Sequence, residues 1–461
     1  MILTSFTLMR FSSFIMYSGF GFFFEEPQIF YCSRSKTYSE AAVWELCELK
    51  EICKLSPEQY LIPRLSSNIR NWYIQLGLNC HNDVFYIGIS ASLFLGGMLL
   101  EQMYLRSNSE GFNRRLYLIL TNFVLTLIYG VLMNTESKFI FLGCMFLMGL
   151  MYSAQEHMGQ HLINDQIQNK NLQAFWLLNK FLRCLAPMLI VFVFKLQDTA
   201  LVEIIYSLLL VQLICLVLNI ALPEDDGAGY SMLDDPSPKK LKASIDDEQM
   251  KFFKAQHKNF KKMVKKINAA SDNNSIKELV FIVIMISSVH MCNTSLNFGM
   301  NNVIGSLYLN TFTLSLADII ALVWSQVDVG IQKVRFIYMV STLLSMVTMI
   351  IMAIIICLPK IMAQSHLDQN DYIIAILILH LKLALSIKLN WIEDQSEKFY
   401  DKKGLYFDAH SVADNVQRFA CLVIPIISQL KYRMTVPFLM ISINLFSFCL
   451  SLFNYYQSTQ Q

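Results

Sequence analysis

Long apolar stretches alternate with short polar ones along most of the chain. The stretch 116–133, "LYLILTNFVLTLIYGVLM", contains no charged residue, and a helix needs about 20 mostly apolar residues to cross the hydrocarbon core of a bilayer. Stretches of this kind recur along the chain and predict twelve membrane-spanning helices. Their approximate bounds are 5–24, 85–105, 116–133, 139–154, 173–194, 200–222, 278–298, 303–327, 335–358, 372–391, 411–430 and 435–455.

The composition also indicates a membrane protein. The chain has 54% hydrophobic and 16% charged residues, whereas soluble domains carry about 25% charged residues. The net charge of +2 and the lack of a basic run interleaved with aromatic residues argue against nucleic-acid binding. We therefore expect an all-α integral membrane protein that contacts membrane lipids and no nucleic acid.

A hydrophilic segment, 223–277, divides the predicted spans into six and six. We predict an N-terminal half at 1–222, a cytoplasmic linker at 223–277 and a C-terminal half at 278–461. Within the linker, "SIDDEQMKFFKAQHKNFKKMVKKI" places apolar residues on one helical face and lysines on the others. Two interpretations fit this segment: an amphipathic helix lying on the inner leaflet, or a solvated helix packed on the cytoplasmic ends of the bundle.

The distribution of basic residues predicts the orientation. Nineteen lysines and arginines fall in the linker and in the short loops on its side, against five in the short loops on the other side. Basic loops face the cytoplasm, so both termini are predicted to be cytoplasmic and 25–84 to be an extracellular loop. The first apolar stretch lacks the basic start and the cleavage site of a signal peptide, so we interpret it as a span, with a signal peptide as the alternative.

Four cysteines lie in the predicted extracellular loop: Cys32, Cys47, Cys53 and Cys80. An even number of cysteines in an oxidising compartment is typical of disulfides, and four cysteines allow three connectivities. We therefore predict two disulfides, with four free thiols as the alternative. The seven other cysteines fall within predicted spans, where a thiol usually serves as a small apolar side chain.

Ionisable residues inside the spans are the candidates for chemistry, because a charge at the bilayer centre costs several kcal/mol unless it is paired or faces water. They are Arg10, Lys180, Arg183, His290, Asp318, His380, Lys382, Asp414 and Arg418. For Arg183, Asp318, Lys382 and Arg418 we favour a role in lining a substrate cavity, with a structural ion pair such as Asp318 with Lys382 as the alternative. We interpret the histidines as satisfied core residues, with proton coupling as their alternative role. Lys388 lies near the end of a predicted span, where an interfacial position is expected.

Two groups of six spans joined by a long cytoplasmic linker resemble the plan of the major facilitator superfamily. Between the second and third spans that superfamily carries a Gly-x-x-x-Asp-Arg-x-Gly-Arg-Arg loop, which the stretch "EGFNRR" (110–115) resembles. Glu110 corresponds to its acid, while Arg114 and Arg115 keep its final arginines; Gly111 and Asn113 depart from the pattern. The resemblance implies a cytoplasmic gate in which Glu110 sits at a helix N-terminus and Arg114 or Arg115 pairs with Asp165.

Further motifs resemble those of one branch, the organic cation, anion and carnitine transporters. The segment "LNFGMNNVIGSLYLNTFTLSLADIIAL" (296–322) is similar to a Gly-Asn-Ile-Tyr-Leu-Asn…Glu stretch of that branch, with Asp318 in place of the acid. On the eleventh span, "QRFACLVIP" (417–425) is similar to an Arg-Leu-Gly…Pro stretch through Arg418 and Pro425. A Glu-x-x-Pro-Thr-x-x-Arg motif of the branch is replaced here by "EKFYDKKGLYF" (397–407).

The resemblance implies a transporter of small organic ions, with a site near the bilayer midplane between two rocking halves. An anion or zwitterion is preferred as substrate because Arg418 stands where anion-handling members carry arginine. The resemblance in helix placement also adds Trp176, Tyr308, Asn293 and Asn297 as substrate-binding candidates, with ordinary helix packing as the alternative for each. The plasma membrane is the location typical of the branch.

No sequence feature indicates an enzyme. The chain has no Gly-rich phosphate loop, no His-Glu-x-x-His and no Cys-x-x-Cys, so we expect no catalytic residue, no metal site and no cofactor, and an ion or substrate gradient as the driving force. A coupling ion remains an open alternative to uniport. The alternative function is a non-transporting, transporter-like membrane scaffold or sensor, which the altered cytoplasmic motifs favour and the charges kept within the spans oppose.

Overall fold

The computed structural model describes the chain in segments separated by gaps. These segments are residues 2–24, 30–33, 44–47, 60–61, 72–78, 84–104, 113–166, 169–196, 201–222, 273–299, 306–325, 331–357, 367–403, 415–428 and 435–459. The linker residues 223–272 lie outside them, so the predicted amphipathic helix and the predicted division at 1–222, 223–277 and 278–461 stay predictions.

Within these segments the chain forms twelve long helices and one short one, α2 (Trp72–Gln75). Six long helices precede the linker and six follow it, which confirms the predicted all-α fold of two six-helix halves. The long helices of the N-terminal half are α1 (Ile2–Phe23), α3 (Val84–Tyr104), α4 (Arg114–Asn134), α5 (Lys138–Gln166), α6 (Asn169–Leu196) and α7 (Leu201–Ile220). Those of the C-terminal half are α8 (Asn273–Gly299), α9 (Leu307–Ser325), α10 (Ile331–Cys357), α11 (Leu367–Lys403), α12 (Asn415–Ser428) and α13 (Thr435–Thr459).

The helices have the length and apolarity of membrane spans. Among the described residues, nine helices are long and apolar enough to cross a bilayer, and the apolar parts Asn415–Ser428 and Val436–Leu452 are shorter. Helix α1 is not among these nine helices, and Arg10 lies near its middle. The chain is thus an integral, multi-pass membrane protein.

Helix α4 illustrates how the apolar pattern is used. Its exposed residues Leu116, Leu120, Phe123, Leu127 and Val131 recur every three or four positions and form one stripe. The opposite face is buried and includes polar side chains such as Thr121 and Asn122. Because lipid tails are as apolar as leucine, the exposed apolar stripe faces lipid and the polar side chains pack inside the bundle.

Helix α5 is longer than predicted. The apolar run predicted a span at 139–154, whereas the helix continues to Gln166. Its second half is polar, yet Ser153, Gln155 and His157 are buried. Hydropathy underestimates this helix because its polar residues are covered by neighbouring helices: Gln155 Nε2, for example, donates to Asn122 Oδ1 of α4 over 2.8 Å.

Helices α3 and α5 approach each other very closely. A Cβ atom at Gly149 would lie 1.9 Å from the backbone oxygen of Phe94, and one at Gly97 would lie 2.1 Å from the backbone oxygen of Phe146. Only glycine fits at both positions, and small residues allow membrane helices to pack at this distance. This contact brings the polar half of α5 beside the end of α3.

A small antiparallel sheet lies in the predicted extracellular loop. Its strands are β1 (Phe30–Ser33), β2 (Trp44–Cys47) and β3 (Tyr60–Leu61), in the order β2-β1-β3. Cys32 pairs with Glu45, and Cys47 pairs with Phe30, so the two cysteines are offset by two positions in the register. Cys53 and Cys80 lie outside the described residues, and the two disulfides stay a prediction.

Aromatic side chains join the two halves at one end of the bundle, which is extracellular in the predicted orientation. The ring of Phe298 on α8 packs edge-on against Tyr17 and Phe20 of α1, with centroids 5.3 and 5.0 Å apart. Phe22 of α1 packs against Tyr308 of α9 at 5.3 Å. These residues are called the outer aromatic contact below, and they close the bundle at this end.

Candidate functional site

Charged side chains from both halves meet between them at the middle of the bundle. Arg183, His290, Asp318 and Lys382 each lie within about two residues of the centre of their membrane spans. Arg183 is exposed and the Asp318 side chain is 29% exposed, although both are far from the helix ends. Both side chains are therefore accessible at mid-depth, where Arg183 acts on Glu156 and Asp318 pairs with Lys382.

Arg10 and Glu156 form an ion pair in the N-terminal half. The pair joins the Arg10 guanidinium on α1 to the Glu156 carboxylate on α5, which is 31% exposed. The guanidinium also lies 5.5 Å from the ring centroids of Phe6, Phe14 and Trp176. Such cation–π contacts are worth about 0.5–2 kcal/mol, so the predicted residue Trp176 contributes to the site by holding Arg10.

Two further arginines act on the same carboxylate. Arg183 on α6 and Arg418 on α12 interact electrostatically with Glu156, in addition to the contact with Arg10. Arg10 and Arg183 belong to the N-terminal half and Arg418 to the C-terminal half. We call these three residues the arginine cluster; Arg10 contacts the Glu156 carboxylate, Arg183 and Arg418 act on it electrostatically, and the members come from both halves.

A hydrogen-bonded link across the halves positions Arg418. Its Nη1 donates to Ser153 Oγ of α5 over 3.3 Å, and Ser153 Oγ donates to the buried Glu101 carboxylate of α3 over 2.6 Å. Ser153 and Glu156 are three residues apart and share a face of α5. The contact lies on the opposite side of the bundle middle from the outer aromatic contact.

The C-terminal half contributes a second ion pair. Lys382 Nζ on α11 lies 3.3 Å from Asp318 Oδ2 on α9 and donates to Asn293 Oδ1 on α8 over 3.1 Å. Ser386 Oγ donates to Asp318 Oδ1. The structure therefore contains the ion pair between Asp318 and Lys382 that was given above as the alternative. The Asp318 carboxylate is also partly exposed.

Other predicted residues lie at different depths. Asn297 and Thr294 hydrogen-bond to Tyr17 of α1 across the halves, whereas Tyr308 belongs to the outer aromatic contact. His290 is partly buried and interacts electrostatically with Arg183, Arg418 and Lys382. His380 is exposed on α11. The structure thus brings Asn293 and Trp176 to the central charges, and it leaves Asn297 and Tyr308 beside the outer aromatic contact.

The predicted gate residues lie at the other end of the N-terminal half. Asn113 caps α4 by accepting a hydrogen bond from the backbone N–H of Leu116 over 3.1 Å. The Arg115 guanidinium donates to the backbone oxygens of Asn219 and Ile220 at the C-terminal end of α7, where a cation is favourable. Glu110 and the Asp165 side chain lie outside the described residues, so the gate that includes Arg114 stays a prediction.

Sequence reasoning missed Glu156, Glu101 and Ser153. Glu156 falls just beyond the predicted end of the fourth span, and Glu101 lies near the end of the second, where an acid is usually interfacial. Two patterns would have found Glu156: it stands one turn from buried Tyr152, and the segment around it continues the helical period. Among the described residues no group of three metal-ligating side chains occurs.

Cys184 gives experimental access to the site. The thiol is partly exposed. Cys184 directly follows Arg183 in the chain and interacts electrostatically with Asp318 and Lys382. In folded protein we expect N-ethylmaleimide to alkylate Cys184 about tenfold or more faster than Cys215, which is buried, since reaction requires access to the thiol. Mass spectrometry of cysteine-containing peptides measures both rates; equal rates would show that Cys184 does not face an open space.

Comparison with known proteins identifies the fold. No family model matches the chain, and no curated protein matches it. Among solved structures, the chain is similar to the crystal structure of the peptide transporter POT in complex with sulfate, with a TM-score of 0.63 and 10% sequence identity. The alignment covers 100% of this chain and 94% of that chain. The chain therefore has the twelve-helix major facilitator fold.

Proposed function

We propose that the protein is a secondary or facilitative transporter of small organic ions that works by alternating access. The observation that carries this proposal is the contact of Arg418, from the C-terminal half, with Ser153, one turn from the Glu156 carboxylate that pairs with Arg10 in the N-terminal half. Charges at this depth are costly unless they face water or a ligand. A site shared by both halves is what rocking of one half against the other requires.

An anion or zwitterion is the substrate class that the charges favour. Four cations, Arg10, Arg183, Lys382 and Arg418, stand against the carboxylates of Glu156, Asp318 and Glu101. The described groups thus have one more positive than negative charge. An arginine also binds a carboxylate through two parallel hydrogen bonds. We place the protein, as part of the proposal, in the organic cation, anion and carnitine branch, in the plasma membrane, with both termini cytoplasmic.

Uptake into proteoliposomes tests this function. Purified protein is reconstituted, and uptake of radiolabelled succinate, carnitine and tetraethylammonium is compared with empty liposomes, with and without an imposed proton or sodium gradient. Saturable uptake of succinate or carnitine is expected. Arg418→Ala should lower it about tenfold to a hundredfold, the effect of losing a charge-assisted contact worth about 1.5–3 kcal/mol.

The matched control removes a positive charge elsewhere. Lys138 lies at the outer start of α5, with its ammonium 5.3 Å from the Tyr86 ring, and Lys138→Ala should leave uptake within about twofold of wild type. Saturable binding of the three compounds without any flux would overturn the transport proposal and favour the scaffold or sensor instead. Equal uptake by Arg418→Ala and Lys138→Ala would exclude Arg418 from the site.

A further inference from the structure

The geometry points to Glu156 as a resident anion that takes the place of the substrate's anionic group while the carrier is empty. This inference rests on the proposed function, because it concerns the same central site. It assigns to Glu156 a role that differs from substrate binding: the carboxylate holds the arginines of the two halves together when no substrate does so.

Glu156 is placed to reach all members of the arginine cluster. Its carboxylate is in contact with Arg10, accepts a hydrogen bond from Gln160 Nε2 over 3.4 Å and is 31% exposed. The carboxylate is therefore held by Arg10 and Gln160 and is still partly accessible. A carboxylate in that position is accessible to an entering ligand and close to the groups that would bind it.

The charges around Glu156 come from both halves. Arg10 and Arg183 belong to the N-terminal half, Arg418 belongs to the C-terminal half, and all three interact electrostatically with Glu156. Like charges brought together away from bulk water repel each other by several times the interaction they would have in water. Without the carboxylate, approach of Arg418 to the two other arginines is unfavourable.

An anionic substrate would offset the same repulsion. In the loaded carrier, a bound carboxylate between Arg183 and Arg418 keeps the halves together, so Glu156 is not needed for closure. In the empty carrier, Glu156 contacts Arg10 directly and acts on Arg183 and Arg418, whereas the Glu101 carboxylate is connected to Arg418 only through Ser153. Removal of the charge of Glu156 should therefore affect the empty carrier selectively, since an interaction shifts a conformational equilibrium only by its difference between the two states.

The direction of the shift follows from the contacts across the halves. The outer aromatic contact is apolar and does not depend on Glu156. On the other side of the bundle middle, Arg418 meets Ser153, one turn from Glu156. Glu156→Gln should therefore open the empty protein on the side of Arg418, and this opening should expose Cys184, which directly follows Arg183 on α6.

The first experiment needs no transported substrate. In detergent, alkylation of Cys184 by N-ethylmaleimide is expected to be about threefold or more faster in Glu156→Gln than in wild type, and inorganic sulfate should return the rate toward the wild-type value. Glu156→Asp, which keeps the charge, should react like wild type. Glu203→Gln is the matched control, because Glu203 is an exposed acid at the start of α7.

A double variant distinguishes repulsion among the arginines from damage to the fold as the cause of a faster Cys184 reaction. Arg418→Gln in the Glu156→Gln background removes one of the three repelling charges, so it should lower the alkylation rate again. An unchanged Cys184 rate in Glu156→Gln overturns the inference. A raised rate that neither sulfate nor Arg418→Gln reverses also overturns it, because general loosening of the structure would then be the cause.

The second experiment uses proteoliposomes and the labelled compound among succinate and carnitine that wild type carries. Net uptake into empty vesicles requires return of the empty carrier, whereas exchange against internal compound does not. Glu156→Gln should lower net uptake about tenfold or more while exchange changes less than about threefold. Equal loss of both would overturn the inference. If wild type carries none of the compounds, the proposed function fails, and the Cys184 measurement still decides the role of Glu156.

Discussion

Substitution of Gly149 by valine is expected to prevent the N-terminal half from folding. A Cβ atom there would lie 1.9 Å from the backbone oxygen of Phe94, and the reciprocal contact joins Gly97 to the backbone oxygen of Phe146. These neighbours are backbone atoms of two packed helices and have no rotamer that would relieve the overlap. We expect a loss of at least about 3 kcal/mol, at the high end of effects of overpacking.

Gly143 provides the matched control for this prediction. It lies on the same helix α5 and is exposed, and a Cβ atom added there would have no heavy atom within 4 Å beyond its own stretch of helix. Yield and thermal unfolding in detergent, followed by size-exclusion chromatography, measure the difference between Gly149→Val and Gly143→Val. A Gly149→Val protein as stable and monodisperse as Gly143→Val would show that α3 and α5 do not approach this closely.

The second large effect is expected at Lys388, inside the C-terminal half. The side chain is only 1% exposed, and its ammonium donates to Ser345 Oγ of α10 and Asn444 Oδ1 of α13, each over 3.0 Å. The Tyr338 ring centroid lies 5.7 Å from it. Among the described residues no carboxylate lies within ion-pair distance, and the groups seen to compensate the charge are neutral.

Asn444→Leu should destabilise the protein by about 3 kcal/mol, because it removes an acceptor and leaves a buried charge poorly compensated. Lys388→Met, which removes the charge and keeps much of the volume, should change the stability by less than about 1.5 kcal/mol. In the double variant most of the loss caused by Asn444→Leu should be recovered. Chemical or thermal unfolding in detergent provides the three values for a double-mutant cycle.

Asn134→Leu is the control for loss of an asparagine, because Asn134 is exposed at the end of α4 and bonds only the backbone oxygen of Gly130. It should stay within about 0.5 kcal/mol of wild type. The explanation would be wrong if the double variant were as unstable as Asn444→Leu alone, since the loss would then come from packing of α13 and not from the charge on Lys388.

Lys388 and Glu156 illustrate the limits of reading charges along the chain. The ends of the apolar runs predict that both lie at the membrane surface or in a loop, whereas the structure places Lys388 in the core of one half and Glu156 within the central site. Arg183, Asp318 and Lys382 stand in the middle of apolar runs, which is why hydropathy identifies them. The burial of a charged residue can thus be predicted where it lies inside a clear apolar run. It is missed where a helix continues through polar residues that neighbouring helices bury.

The predicted gate also shows that contacts of a charge depend on helix packing. The resemblance predicts that Arg114 or Arg115 pairs with Asp165, which stays a prediction, and the structure adds that the Arg115 guanidinium bonds the carbonyl groups that end α7. Spacing along the chain indicates which side of the membrane a charge occupies. It does not indicate which of several nearby acceptors the charge contacts, because that choice depends on how neighbouring helices are rotated and how closely they pack.

Hydropathy alone predicted the number of spans, their division into six and six, and the presence of charges at mid-depth. It could do so because a bilayer requires about 20 apolar residues for each helix, whatever the neighbours of that helix are. Helix packing decided the remaining features. These are the ion pairs of Arg10 with Glu156 and of Asp318 with Lys382, the hydrogen bond from Arg418 to Ser153, and the burial of Lys388. These contacts join residues far apart in the chain, up to 265 positions for Ser153 and Arg418, and local patterns carry no information about such distances.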